Sequence, residues 1–107
     1  EQHRVPAAID AFRHAARSPD RTTAASACYH LGLLYEQQHH YKSAVREYRR
    51  AARSGDHETQ ASAYYHLGRL YEHRHRMTDA VATYRHSVRL GGSDSSRALE
   101  ALARLAP

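Results

Sequence analysis

The chain has 107 residues, with 16 Lys plus Arg against 11 Asp plus Glu and a formal charge of +5 with histidine neutral. That length allows one compact domain or one short repeat array and excludes a two-domain enzyme with a cleft between domains, while 41% hydrophobic residues are enough to fill a core. Cys28 is the only cysteine, which excludes an intramolecular disulfide and a multi-thiolate zinc site.

Taken in chain order, Glu1 to Val5 read as a turn. Ala8, Ile9, Phe12, Ala15 and Ala16 then follow at helical spacing, with Pro6 at the helix start, where its missing N–H costs little. Ala24, Ala27, Cys28, Leu31, Leu34 and Tyr35 predict a helix over 23–37, and Tyr41, Ala44, Val45, Tyr48, Ala51 and Ala52 predict another over 41–54. Two further helices fall at 59–73 and 77–90. Ala98, Leu99, Leu102 and Leu105 mark a last one within 95–106. Thr23, Thr59, Thr78 and Asp94 are the expected caps, and Gly55 and Gly91 suit helix exits. On this pattern Cys28 is a small core residue. No apolar run is long enough to span a bilayer and no signal peptide is evident, so a cytoplasmic protein with no membrane partner is the default expectation.

The strongest signal is internal. The segment beginning at Cys28 recurs at Tyr64 with an offset of 36 residues and no gap. Tyr29, His30, Leu31, Gly32, Leu34, Tyr35 and Glu36 return as Tyr65, His66, Leu67, Gly68, Leu70, Tyr71 and Glu72. Ala44, Val45, Tyr48, Arg49, Arg53 and Gly55 return as Ala80, Val81, Tyr84, Arg85, Arg89 and Gly91. The same offset carries Ala44, Val45 and Tyr48 back onto Ala8, Ile9 and Phe12. One helical-repeat domain therefore divides into the second helix of a partial repeat with its linker (1–22), two full repeats (23–58 and 59–94) and a terminal helix (95–107). Cut out of phase with its period, the chain reads as a window onto a longer array.

Gly32 and Gly68 fall mid-helix, where glycine costs about 1 kcal/mol against alanine. Close approach of a second helix explains them, with Ala44 and Ala80 as the expected opposing surface. Tyr35, Tyr48, Tyr71 and Tyr84 are then expected between successive helix pairs.

These residues resemble the tetratricopeptide repeats. Leu31, Gly32, Tyr35, Ala44, Tyr48 and Ala51 match that family's leucine, glycine, tyrosine, alanine, aromatic and alanine positions, and Leu67, Gly68, Tyr71, Ala80 and Tyr84 match in the next copy. Cys28 and Tyr64 replace its frequent tryptophan, Met77 and Ser87 depart mildly, and its helix-ending proline is missing. The 36-residue period and the ending "AARSG" are also similar to Sel1-like repeats, but "QQHHY" and "HRHRM" replace the glycine-rich turn of that class. The resemblance implies an all-α, right-handed α-solenoid of antiparallel helix pairs, about six helices in all.

It also implies that first helices line a concave surface. Ser26, Tyr29, Leu33 and Glu36 would lie there with His30 at the edge, and Ser62, Tyr65, His66, Arg69 and Glu72 would form the next row. Such a groove suits an extended peptide or a partner's helix. The lysine, arginine and asparagine set by which many family members hold a C-terminal carboxylate is absent or very incomplete, since the chain has no asparagine.

Among the ten histidines, His39, His40, His73 and His75 fall near the intra-repeat turns at no structural-zinc spacing, so no metal or cofactor is expected. No phosphate-cradling glycine loop, HExxH or nucleophile elbow occurs, so the chain is not read as an enzyme. Arg46, Arg49, Arg50, Arg53, Arg85 and Arg89, extended by Arg13 and Arg17, make a basic second-helix ridge interrupted by Glu47. The resulting expectation is a non-catalytic scaffold for protein–protein interaction. The alternative is a nucleic-acid-associated or self-assembling segment of a larger regulatory protein, associating through apolar array ends.

Overall fold

The computed structural model describes residues 4–53 and 55–106. Among these there are six helices and no strand: α1 (Arg4–Ala15), α2 (Arg21–Gln37), α3 (Tyr41–Arg53), α4 (His57–His73), α5 (Met77–Leu90) and α6 (Ser95–Leu105). The all-α expectation holds. Two compact units divide the chain, Glu1–Gly55 carrying α1 to α3 and Asp56–Pro107 carrying α4 to α6.

Helix starts differ from expectation, for a physical reason. Thr23 and Thr59 are not the caps of α2 and α4. Asp20 and Asp56 are, each in extended backbone, and their carboxylates accept the N–H of Thr23 at 3.0 Å and of Thr59 at 2.7 Å. Aspartate caps well from this position, so each helix gains two residues and the threonine moves into its first turn. Thr78 does not cap α5 either. Arg76 precedes that helix with no side-chain cap bond, and Asp79 in the first turn places a carboxylate near the helix's positive end. Asp94 holds the expected position before α6 but faces Arg97 at 3.7 Å instead of capping. Arg4 and Val5, expected in a turn, belong to α1. Pro6 is tolerated in the first turn because the N–H groups there have no intrahelical partner in any case. Glu1, Gln2 and His3 of the expected leading turn, and Ser54 at the expected end of α3, lie outside the described residues.

Both intra-repeat turns follow one design. His40 N–H donates to the Tyr35 carbonyl at 2.8 Å and His39 N–H to the Glu36 carbonyl at 2.9 Å. Arg76 and His75 repeat the pattern onto Tyr71 and Glu72 at 2.8 and 3.0 Å. This pair of bonds closes a helix end and needs a left-handed residue between them, a place usually taken by glycine. Here it is histidine, with φ of 63° at both His39 and His75.

In the first unit α2 and α3 run antiparallel, with Ala27, Cys28, Leu31, Tyr35, Ala44, Tyr48, Ala51 and Ala52 buried. Cys28 is a core residue as expected, and burial pushes its thiol up to about 11. Phe12 of α1 stacks on His30 at 5.0 Å, and Arg13 donates to the Tyr35 hydroxyl at 2.9 and 3.2 Å. In the second unit α4 and α5 bury Ala61, Ala63, Leu67, Leu70, Tyr71, Ala80 and Tyr84, and α6 adds Ala98 and Ala101. The buried Ser87 hydroxyl donates to the Ala61 carbonyl of α4 at 2.8 Å, which explains a serine at a position the repeat otherwise fills with alanine.

The mid-helix glycines serve a different neighbour from the one expected. A Cβ on Gly32 would lie 2.5 Å from the Tyr48 ring, and one on Gly68 would lie 2.7 Å from the Tyr84 ring. Ala44 and Ala80 are buried, but the group facing each glycine is a tyrosine of the same helix pair. Tyr48 and Tyr84 therefore pack inside their own pairs.

Candidate functional site

Each first helix carries its own row of side chains. On α2, Tyr29 is half-buried, its ring tilted against Tyr48 at 6.1 Å and edge-on to His30 at 5.5 Å. His30 is exposed, stacked on Phe12, with Nδ1 2.8 Å from the Ser26 carbonyl. Ser26, Leu33 and Glu36 are half-buried, and Glu36 accepts the Tyr48 hydroxyl at 2.8 Å. A buried phenol ties the base of this row to the second helix, so the row is held on a rigid support.

On α4 the row is more charged. Tyr65 and His66 are half-buried and edge-on to one another at 5.2 Å, and Tyr65 tilts against Tyr84 at 6.0 Å. Arg69 is exposed and donates to His66 Nδ1 at 3.3 Å, with its guanidinium 5.9 Å from the Tyr65 ring centroid. Ser62 is buried, which sets it apart from the accessible members of the row. Glu72 accepts the Tyr84 hydroxyl at 2.9 Å and pairs with Arg104 of α6. That bond from Arg104 is the main reason its carboxylate lies below the usual range. The Tyr84 hydroxyl and nearby Arg69 act in the same direction, against partial burial. The Tyr84 phenol is pushed well above its ordinary value, first by burial and then by its bond to Glu72.

Two contributors to the α4 row lie on α6, where sequence reasoning did not place them. Arg97 lies 6.0 Å from the Tyr65 ring centroid, and Arg104 closes on Glu72. Their only signal in the sequence is the arginine spacing on the polar side of the last helix.

The basic ridge is interrupted at Glu47 and engaged in part by neighbouring side chains. Arg46 and Arg50 pair with the buried carboxylate of Glu47 at 3.3 and 3.1 Å, and Arg13 is committed to Tyr35. Among the described residues no three His, Cys, Asp or Glu side chains converge as metal ligands, and no helix is long and apolar enough to cross a membrane.

Two copies of a helix pair, each offering half-buried aromatic and polar groups along its first helix, define a helical-repeat interaction protein. The tetratricopeptide repeat model matches residues 25–54 and again 61–90, more than half the chain, and the chain belongs to that family. Its repeats build helical solenoids and mediate protein–protein interaction. Comparison with curated proteins and with solved structures returns no match.

Proposed function

We propose that the chain is a non-catalytic scaffold that binds a peptide or helix of a partner protein. The surface is the one carried by the first helix of each repeat, the concave side in this family. The observation that carries this reading is the state of Tyr29 and Tyr65. Each is large and half-buried, and each is braced by a fully buried tyrosine of the second helix. An aromatic body fixed in place with one side open gives contact area at little ordering cost on binding. Around it stand groups that can hydrogen-bond an extended backbone or a polar helix face: His30, Ser26 and Glu36 on α2, and His66, Arg69 and Glu72 on α4. Glu47, which draws in Arg46 and Arg50 and so breaks the basic ridge, is why we favour a protein partner over nucleic acid.

The test is affinity capture with the whole chain, compared with a Tyr65→Ala, Arg69→Ala double variant whose helical circular-dichroism signal is checked first. Loss of the captured partner with an intact helical signal supports the surface. Capture unchanged by the double variant overturns it.

A further inference from the structure

We propose that Tyr65, Arg69 and Arg97 form a recognition site for carboxylate side chains, so that the segment bound on α4 is an acidic one. This rests on the reading of the first-helix surface as the binding face and goes beyond it in naming the chemistry of the partner.

Two guanidinium groups from different helices converge on one ring, Arg69 at 5.9 Å and Arg97 at 6.0 Å from the Tyr65 centroid. The carboxylates at hand offset these two exposed charges only in part. Glu72 is engaged by Arg104 and the Tyr84 hydroxyl. Asp94 makes a long ion pair with Arg97 at 3.7 Å, beyond hydrogen-bond reach, which leaves most of that guanidinium's donors open. Among the described residues Arg69 has no carboxylate at ion-pair distance, and its hydrogen bond goes to His66 Nδ1. Each guanidinium has five N–H donors and takes a carboxylate in a planar, two-bond arrangement. Cation–π attraction to the Tyr65 ring favours both positions before any ligand arrives, which lowers the ordering cost of binding.

The arrangement is particular to this unit, because Leu33 stands where the offset would put the counterpart of Arg69. The second unit carries seven Lys plus Arg against six Asp plus Glu, so its formal charge is only +1.

The experiment titrates the whole chain into a fluorescently labelled peptide of alternating glutamate and alanine, blocked at both ends, with a glutamine–alanine peptide as control. We expect the glutamate peptide to bind at least about tenfold more tightly than the glutamine one, and Arg69→Gln with Arg97→Gln to remove about tenfold. Arg85→Gln with Arg89→Gln, the same charge change on α5, is expected to stay within about twofold. Both double variants are checked by circular dichroism, and Arg69→Gln alone serves if the first pair is poorly folded. Equal losses in both pairs would assign the effect to net charge and overturn the proposal. So would tight binding that appears only when the peptide's C-terminal carboxylate is left free. If both peptides bind equally and Tyr65→Ala abolishes both, the surface stands and its acidic preference falls. If neither binds, the acidic preference falls, and the affinity capture with the Tyr65→Ala, Arg69→Ala variant decides the surface on its own.

Discussion

Gly68 and the ring of Tyr84 occupy space that one added methyl group would contest. A Cβ there would meet Cδ1 and Cε1 at 2.7 Å, and the ring cannot yield cheaply because it is fully buried and its hydroxyl is bonded to Glu72. Two effects oppose each other in Gly68→Ala. Helix propensity favours alanine by about 1 kcal/mol, while overpacking a tight core costs about 1–3 kcal/mol. With a ring this constrained the second wins, and we expect a net loss of about 1–2 kcal/mol in urea unfolding. In a Tyr84→Leu background the ring is gone and the same substitution should turn neutral or stabilising. If Gly68→Ala costs as much in both backgrounds, the Tyr84 contact is not the reason for the glycine.

At the level of the helix, the starts of α2 and α4 hang on one carboxylate each. Asp20 and Asp56 accept hydrogen bonds from Thr23 and Thr59, and those bonds hold both carboxyls below their ordinary range. Glu72 is lowered as well, chiefly by Arg104. A carboxyl with a depressed folded-state pKa contributes stability above its unfolded value, near 4, and loses it as pH falls through the folded one. The thermal midpoint should therefore be level near neutrality and fall below about pH 4. Asp56→Asn keeps a capping oxygen without the charge and should flatten part of that acid slope, whereas Asp56→Ala should lower the midpoint across the whole range. An Asp56→Ala midpoint equal to wild type at neutral pH would remove the cap from the argument.

The same scale explains what can be read in the sequence. The 36-residue offset locates both helix pairs, because apolar spacing is set by the faces a helix must bury. The expected caps fall three residues late because Asp20 and Thr23, like Asp56 and Thr59, are both good capping types and only geometry selects between them. The left-handed turns at His39 and His75 carry no glycine to announce them. The Tyr48–Glu36 and Tyr84–Glu72 bonds join residues twelve apart that recur in both copies, so the recurrence is visible in the sequence and the bond is not. Arg97 and Arg104 escape notice for a simpler reason. They lie on α6, outside the two full repeats, where no second copy exists for comparison.

Across the whole chain the charge is unevenly shared. The first unit holds nine Lys plus Arg against five Asp plus Glu, a formal +4 out of the total +5, whereas the cluster at Tyr65 belongs to the second unit. Long-range attraction and local recognition can therefore be separated by salt. At about 0.15 M ionic strength the screening length is about 8 Å, so exposed charges beyond that distance act weakly on a bound anion, while groups in contact with it are screened much less. Arg85→Gln with Arg89→Gln on α5 and Arg69→Gln with Arg97→Gln each take the formal charge from +5 to +3. At low salt both pairs should weaken binding of the glutamate–alanine peptide, the first by slowing encounter. At about 0.15 M the α5 pair should return to within about twofold of wild type, and the Tyr65 pair should keep most of its about tenfold loss. Titrations at the two salt concentrations decide the matter. Equal recovery of both pairs would mean that the chain attracts acidic peptides through its overall charge and has no particular place to hold them.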